Sequence, residues 1–293
     1  MKYETIIVRY SEIGLKAKYT RKTFENVLIK NIKNALKLKH ILFEIKRQRG
    51  RIFIGTKEID RALPILQNIF GIKSISPALK TNSNMESISK EALNILKISE
   101  KDSFALRVTR EGKHEYTSKD VAIHVGNIVV KATKAKVNLT KPDHTLYIEI
   151  RGNDAFLFEE KIECVGGLPL GTQGNVLDLV NSDKSILAAW YLMRRGCDIV
   201  FSNSNENLEK FLEKWFANAK ILSVESNDFK KLNSEAIKHN CSAIVTDISL
   251  YEKDALSDIK QFKDSFDLPV LHPLISMEKK DIDKKMLEIG ILE

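Results

Sequence analysis

Gly166-Gly167-Leu168-Pro169-Leu170-Gly171-Thr172-Gln173-Gly174 is followed by the mainly apolar run from Asn175 to Val180, the polar loop Asn181-Ser182-Asp183-Lys184-Ser185, and a helix-forming stretch from Ile186 to Arg195. A linker rich in Gly and Pro, a short buried strand, a tight loop and a helix, in that order, open an α/β nucleotide-binding domain. A domain boundary therefore falls near residue 168. In such folds a phosphate rests where the first strand passes into the first helix, because unpaired backbone N–H groups and the positive end of the helix converge there. Glycines would have to line that loop, and here they precede the strand. With Ser182 or Asp183 as the N-cap, a side chain takes up the free N–H groups and a carboxylate stands where an anion would bind.

Working outward, residues 198–202, 220–224, 243–246 and 270–273 read as strands alternating with helices over 208–217, 228–238 and 254–263. That alternation predicts an α/β domain with a mostly parallel, doubly wound sheet covered on both faces. Upstream, residues 4–10 form a strand, 20–38 a helix, 41–47 and 51–55 two strands around Gln48-Arg49-Gly50, 59–69 a helix and 72–79 a strand. This order is that of a ferredoxin-like unit. A second α+β unit follows, with helices over 88–96 and 119–137 and strands over 103–109, 146–151 and 155–161. The expected domains are 1–80, 81–168 and 169–293.

The chain has 293 residues, 43% hydrophobic and 29% charged, the composition of a globular protein, with no apolar run long enough for a membrane span. Residues 1–10 read as a strand rather than a signal peptide, so a cytoplasmic location is expected. Net charge is +8, unevenly spread: residues 1–60 carry 15 Lys+Arg against 6 Asp+Glu, and residues 173–293 carry 16 against 20. A basic first half points to a polyanion docking there. Cys164, Cys197 and Cys241 are far apart, with no C-x-x-C pair, and read as small buried hydrophobes. His124 and His272 have no metal-ligand spacing and read as core or capping groups, so no metal is expected. Phe211, Trp215 and Phe216 read as packing residues.

Three stretches together carry a family resemblance: Arg9-Tyr10-Ser11-Glu12-Ile13-Gly14-Leu15-Lys16-Ala17-Lys18; Val137-Asn138-Leu139 with Pro142-Asp143 ahead of Tyr147-Ile148-Glu149-Ile150-Arg151; and Gly166-Gly167-Leu168-Pro169-Leu170-Gly171-Thr172. In this order they resemble the tRNA 4-thiouridine sulfurtransferase family. The resemblance implies a ferredoxin-like N-terminal domain, a THUMP domain for RNA binding and a PP-loop-like domain. In the family the last domain uses ATP to adenylate a uridine at tRNA position eight before sulfur replaces its oxygen. The family's S-G-G-x-D-S loop is replaced here by Asn181-Ser182-Asp183-Lys184-Ser185, in which Asp183, Lys184 and Ser185 are the candidate remnants of the ATP loop. A second nucleotide segment, V-T-G-E-S-L-G-Q, stands as Val245-Thr246-Asp247-Ile248-Ser249-Leu250-Tyr251-Glu252, with both glycines gone. The quoted sequence ends at Glu293, ahead of the family's cysteine-bearing segment.

The resemblance and the charge distribution lead to a tRNA-binding protein with THUMP-mediated recognition and no ATP-dependent catalysis of its own, for which no cofactor is expected and catalytic residues are unassigned. The candidate RNA contacts are Arg9, Lys16, Lys18, Arg21 and Lys22 on the first loop, Arg107, Arg110 and Lys113 after the second unit's strand, and Lys131, Lys134 and Lys141. A catalytic or sulfur-donor protein is a candidate second partner, a homodimer is open, and no membrane partner is expected. The alternative is an active ATP-dependent tRNA sulfurtransferase using ATP and Mg²⁺, with Lys184 on a phosphate, Asp183 on Mg²⁺ and a cysteine taking sulfur.

Overall fold

The computed structural model of the chain describes residues 3–225 and 227–292. In chain order the first half runs β1 (Thr5–Arg9), a 3-10 turn (Glu12–Leu15), α1 (Lys18–Leu38), β2 (Glu44–Gln48), β3 (Arg51–Gly55), α2 (Ile59–Gln67), β4 (Ser74–Asn82), α3 (Met85–Ile95), β5 (Ser103–Glu111), α4 (Ser118–Thr133), β6 (Lys136–Val137), β7 (His144–Arg151), β8 (Asp154–Phe158) and β9 (Ile162–Glu163). The second half runs β10 (Asn175–Asp178), α5 (Asp183–Arg194), β11 (Asp198–Phe201), α6 (Glu206–Lys214), β12 (Lys220–Ile221), α7 (Phe229–Lys238), β13 (Cys241–Val245), α8 (Ala255–Ser265), β14 (Val270–Leu271) and α9 (Lys279–Ile289). Two compact units result. One holds the residues up to Arg9, Leu36–Gln67 and Ser74–Glu163; the other holds Tyr10–Ala35, Asn68–Lys73 and the chain from Cys164 onward.

The first unit is built on one sheet of order β2-β3-β1-β4-β8-β7-β5-β6, with β9 added to β4. Its first four strands carry the ferredoxin-like order, and β4 continues into the next part by pairing with β1 through Ser74–Ala78 and with β8 through Leu79–Asn82. All five residues of β1 are buried, as expected of a strand covered on both faces. On one face, α3 and α4 lay Ile88, Ala92, Val121, Val125 and Val129 against Phe104, Leu146, Ile148 and Leu157. On the other, the Phe53 and Phe156 rings stack at 4.4 Å although β1 and β4 lie between their strands, so the sheet curls onto itself. Beside that cluster Glu149 is 4% exposed and gathers Arg151 Nε at 2.7 Å, Arg51 Nε at 2.9 Å and Arg9 Nη2 at 3.6 Å.

In the second unit the five-stranded sheet is parallel throughout, in the order β12-β11-β10-β13-β14. One face packs Ile186, Ala189, Trp190, Phe211, Ile282 and Met286 from α5, α6 and α9; the other packs Leu232, Ala236, Phe262 and Phe266 from α7 and α8. The Gly/Pro stretch read as a linker is instead docked on the end of α5. Leu168 N–H donates to Arg194 O at 3.0 Å, and the N–H groups of Gly171, Thr172 and Gln173 reach Gly196 O at 2.9–3.0 Å. Gly167 has φ +76, and a Cβ there would lie 2.1 Å from Arg194 O, so backbone approach rather than flexibility requires that glycine.

Candidate functional site

Strand order in the second unit reverses direction at β10, which places the topological switch point between the C-terminal ends of β10 and β13, where ligands of open α/β sheets bind. The loop after β10 is short and polar because Ser182 N-caps α5 and Ser185 closes a capping box with it. Asn181 and Ser182 donate their N–H groups to Ser185 Oγ at 3.0 and 3.3 Å, and Lys184 N–H donates to Ser182 Oγ at 3.3 Å. Both hydroxyls then donate to one oxygen of Asp247, from the loop after β13: Ser182 at 3.1 Å and Ser185 at 2.9 Å. The carboxylate at the helix end is therefore Asp247. Asp183 turns away and accepts hydrogen bonds from Asn205 at 3.1 Å and Asn207 at 2.8 Å. Lys184 is ion-paired with Glu252; burial drives the Glu252 carboxyl up, but Lys184 and the Ser249 N–H outweigh it, and the net shift is downward.

Asp178, the last residue of β10, escaped the sequence reading. It is fully buried and neither carboxyl oxygen has a hydrogen-bond partner among the described residues. Burial, and then the charge of Asp247, push its carboxyl well above the ordinary range, so the neutral form is the one the fold accepts. A signal was present: one acid inside Val176-Leu177-Asp178-Leu179-Val180. Among the histidines, His272 shares a hydrogen bond with Thr246 Oγ1 at 2.6 Å and burial lowers its pKa, whereas His124 is exposed on α4 rather than packed. Cys241 is pushed up to about 11 by burial, and Cys197 is raised by burial and then by Asp198, so both thiols are held protonated.

The basic candidates separate into exposed groups, the part-buried Lys16 and Arg21, and the buried Arg9. Arg9 is 9% exposed, donates to Ser76 Oγ at 2.9 Å, lies near Glu149 and sits 4.8 Å over the Phe158 ring. Its guanidinium is part of the interior, because β1 is buried on both faces, and it is not a surface contact for RNA. Arg21 donates to the carbonyls of Gly14 at 2.9 Å and Lys16 at 3.0 Å, which holds the loop over the start of α1, and Lys16 lies 5.9 Å from the Phe24 ring. Lys18 and Lys22 are exposed on the first turns of α1, with Leu15 and Tyr19 beside them 88% and 85% exposed. Both lie ahead of the helix expected over 20–38, and the sequence reading assigned them no role. In the other unit Arg107, Arg110, Lys113, Lys131, Lys134 and Lys141 are all exposed. Arg107 donates to Leu139 O at 2.5 Å and Arg110 to Gly112 O at 3.3 Å, so β5 presents two guanidiniums anchored by neighbouring backbone.

Residues 5–76 match the ThiI ferredoxin-like domain and residues 82–159 match the THUMP domain. A protein named probable tRNA sulfurtransferase from Methanobrevibacter smithii is 34% identical over 340 aligned positions covering 100% of this chain and 88% of that protein. Since the chain has 293 residues, at least 47 of those positions have no residue here. The tRNA sulfurtransferase of Pyrobaculum aerophilum is 31% identical, over 99% of this chain and 67% of its own length. A crystal structure from Pyrococcus horikoshii superposes with a TM-score of 0.83 at 27% identity, over 98% of this chain and 99% of that one. A 4-thiouridine synthetase crystallised as an RNA complex with bound ATP also gives 0.83, at 26% identity, over 99% and 86%. The likeness extends through the ferredoxin-like, THUMP and parallel-sheet parts in one order, and with it the chain belongs to the tRNA sulfurtransferase family, a family of tRNA-modifying proteins.

Proposed function

We propose that this chain binds tRNA through its ferredoxin-like and THUMP parts and no longer adenylates it with ATP. The observation that carries this reading is the Asp247 carboxylate, held by the hydroxyls of Ser182 and Ser185 at the start of α5. A triphosphate needs free N–H groups there, and those of Asn181, Ser182 and Lys184 already have side-chain acceptors. Like charges about 4 Å apart repel by roughly 4 kcal/mol at an effective dielectric near 20. Half that cost, uncompensated, weakens binding about thirtyfold. Lys184 and Asp183, the side chains that would meet a phosphate or Mg²⁺, are engaged by Glu252 and by Asn205 and Asn207. The residues present do not fit ATP. Buried Cys197 and Cys241 are poor sulfur carriers, because the thiolate is the nucleophile; Cys164, expected to be buried as well, is only part-buried. Thiolation involving this chain would draw its activation and sulfur from a partner protein in the cytoplasm.

The second reading, an active sulfurtransferase, is favoured by a cavity of about 500 Å³ beside the loop, lined by Lys184, Tyr251, Lys279 and Asp283 among others. Calorimetry with ATP and Mg²⁺, with and without bulk tRNA, separates the two. No heat from ATP in either case, together with tRNA binding that weakens with salt, is expected. ATP binding at millimolar concentration, strengthened by tRNA, would overturn the proposal and make a thiolation assay decisive.

A further inference from the structure

A second cavity, of about 440 Å³, lies in the C-terminal unit at the opposite end of the parallel sheet from the switch point. Its size is within the ~300–1,000 Å³ range of small-molecule sites. Asn175 and Asp198, the first residues of β10 and β11, are neighbours in register along one wall, and Lys220, which starts β12, lines it two residues further on, paired with Val200. Lys30, Asn31 and Asn34 supply the facing wall at helical spacing on α1.

Three features mark the cavity as built for a polar ring. The half-buried carboxyl of Asp198 receives no hydrogen bond from any described residue; burial raises its pKa, and the Lys30 charge opposes that rise. Gly171, at φ +88, keeps the space in front of it open, since a Cβ there would lie 3.2 Å from Asp198 Oδ2. Phe216 holds φ +49 at the end of α6, a position that favours glycine, where the Ala217 N–H closes on Leu212 O at 3.1 Å. A bulky side chain there is costly, and the Phe216 ring lines the cavity. The ring is half-buried at the cavity's edge.

We propose that this cavity binds a guanosine nucleotide, with the Asp198 carboxylate on the base edge and Phe216 against the base face. A carboxylate only accepts, so its partner must bring adjacent donors. Guanine offers a ring N–H beside an exocyclic amino group, spaced to meet two carboxylate oxygens; adenine, cytosine and uracil each place an acceptor next to their donor. Aromatic faces stack any base, and the carboxylate supplies the choice. Lys30 and Lys220 supply cations for the nucleotide phosphate. The site is separate from the switch point and does not rest on the tRNA reading. Its guanosine is either a free mononucleotide or an unstacked residue of an RNA.

The test is calorimetry of GMP, AMP, CMP and UMP on the full chain. GMP is expected to bind at least tenfold more tightly than the other three. Asp198→Asn replaces one acceptor by a donor, and is expected to weaken GMP roughly 10–100-fold and to bring AMP level with it or above it. Phe216→Gly relieves the positive φ, and is expected to hold or raise the thermal midpoint while weakening GMP about tenfold. Bulk tRNA that displaces GMP identifies an RNA guanosine as the source, and tRNA that leaves GMP bound identifies the free nucleotide; the site stands in both cases. No GMP binding at millimolar concentration, equal binding of the four nucleotides, or unchanged GMP affinity in Asp198→Asn would overturn the proposal.

Discussion

A carboxyl group without a hydrogen-bond partner inside a central strand has one inexpensive state, the neutral one. For Asp178 the native pKa lies above the unfolded one, so its contribution to stability is intact below about pH 4 and is lost as the pH climbs toward the raised native value. Within that window the loss is about 1.4 kcal/mol per pH unit. Asp178→Asn, which keeps the shape and removes the titration, is expected to melt with wild type near pH 4 and at a higher temperature at pH 7; parallel melting curves across that range would refute a neutral Asp178. Arg9 makes the opposite point about surface assignments. Arg9→Ala leaves Glu149 with fewer partners in the interior and should cost about 3 kcal/mol in denaturant unfolding, with tRNA affinity unchanged while the protein is folded. Lys18→Ala with Lys22→Ala should do the reverse, keeping stability within about 0.5 kcal/mol and weakening tRNA. Both roles were partly legible. Arg9 ends a strand whose residues are all apolar or small enough to bury, which argued for the interior, but its arginine chemistry argued for the surface.

α4, which carries the candidate Lys131, is started by a capping box in which Thr117 and Asp120 satisfy each other's N–H groups at 3.2 and 2.8 Å. It ends at Thr133 because Lys134 takes φ +62, after which β6 pairs with Ser103 and Phe104. From sequence the helix runs on to residue 137, since Lys-Ala-Lys favours helix and a two-residue strand has no local signal. Lys134→Gly is accordingly expected to raise stability by about 1 kcal/mol through relief of the left-handed strain, while it weakens tRNA binding by removing a cation. A thermal midpoint that falls would show that the lysine stem packs there. The same competition hid α9: its surface is charged, but Ile282, Met286 and Ile289 recur at helical spacing and are buried. The β10–α5 handover, by contrast, was readable to within one residue of the N-cap, because Ser182 and Asp183, both capping residues, follow an apolar strand, and the structure assigns the cap to Ser182.

At the scale of the molecule, local periodicity suggests three domains, while pairing of β4 with both β1 and β8 runs one sheet across residue 80, and residues 10–35 pack with the C-terminal unit. Such pairings join positions distant in sequence and leave no periodic trace. The charge map was legible in advance, since counting needs no fold: residues 1–60 are net basic and the last third net acidic. The exposed candidate cations fall into two groups, Lys18 and Lys22 in one unit and Arg107, Arg110, Lys113, Lys131, Lys134 and Lys141 in the other. If about five phosphates are neutralised in the complex, log affinity falls against log salt with a slope of roughly −4. Each contact accounts for roughly 0.8 of that slope, so Lys18→Ala with Lys22→Ala should bring it to roughly −2.5, and Lys131→Ala with Lys134→Ala to a similar value. When both groups hold the same tRNA, the four substitutions together should lower the slope by the sum of the two effects. If either pair leaves the slope at its wild-type value, that unit's lysines are solvated surface, and the RNA is held by the other unit alone.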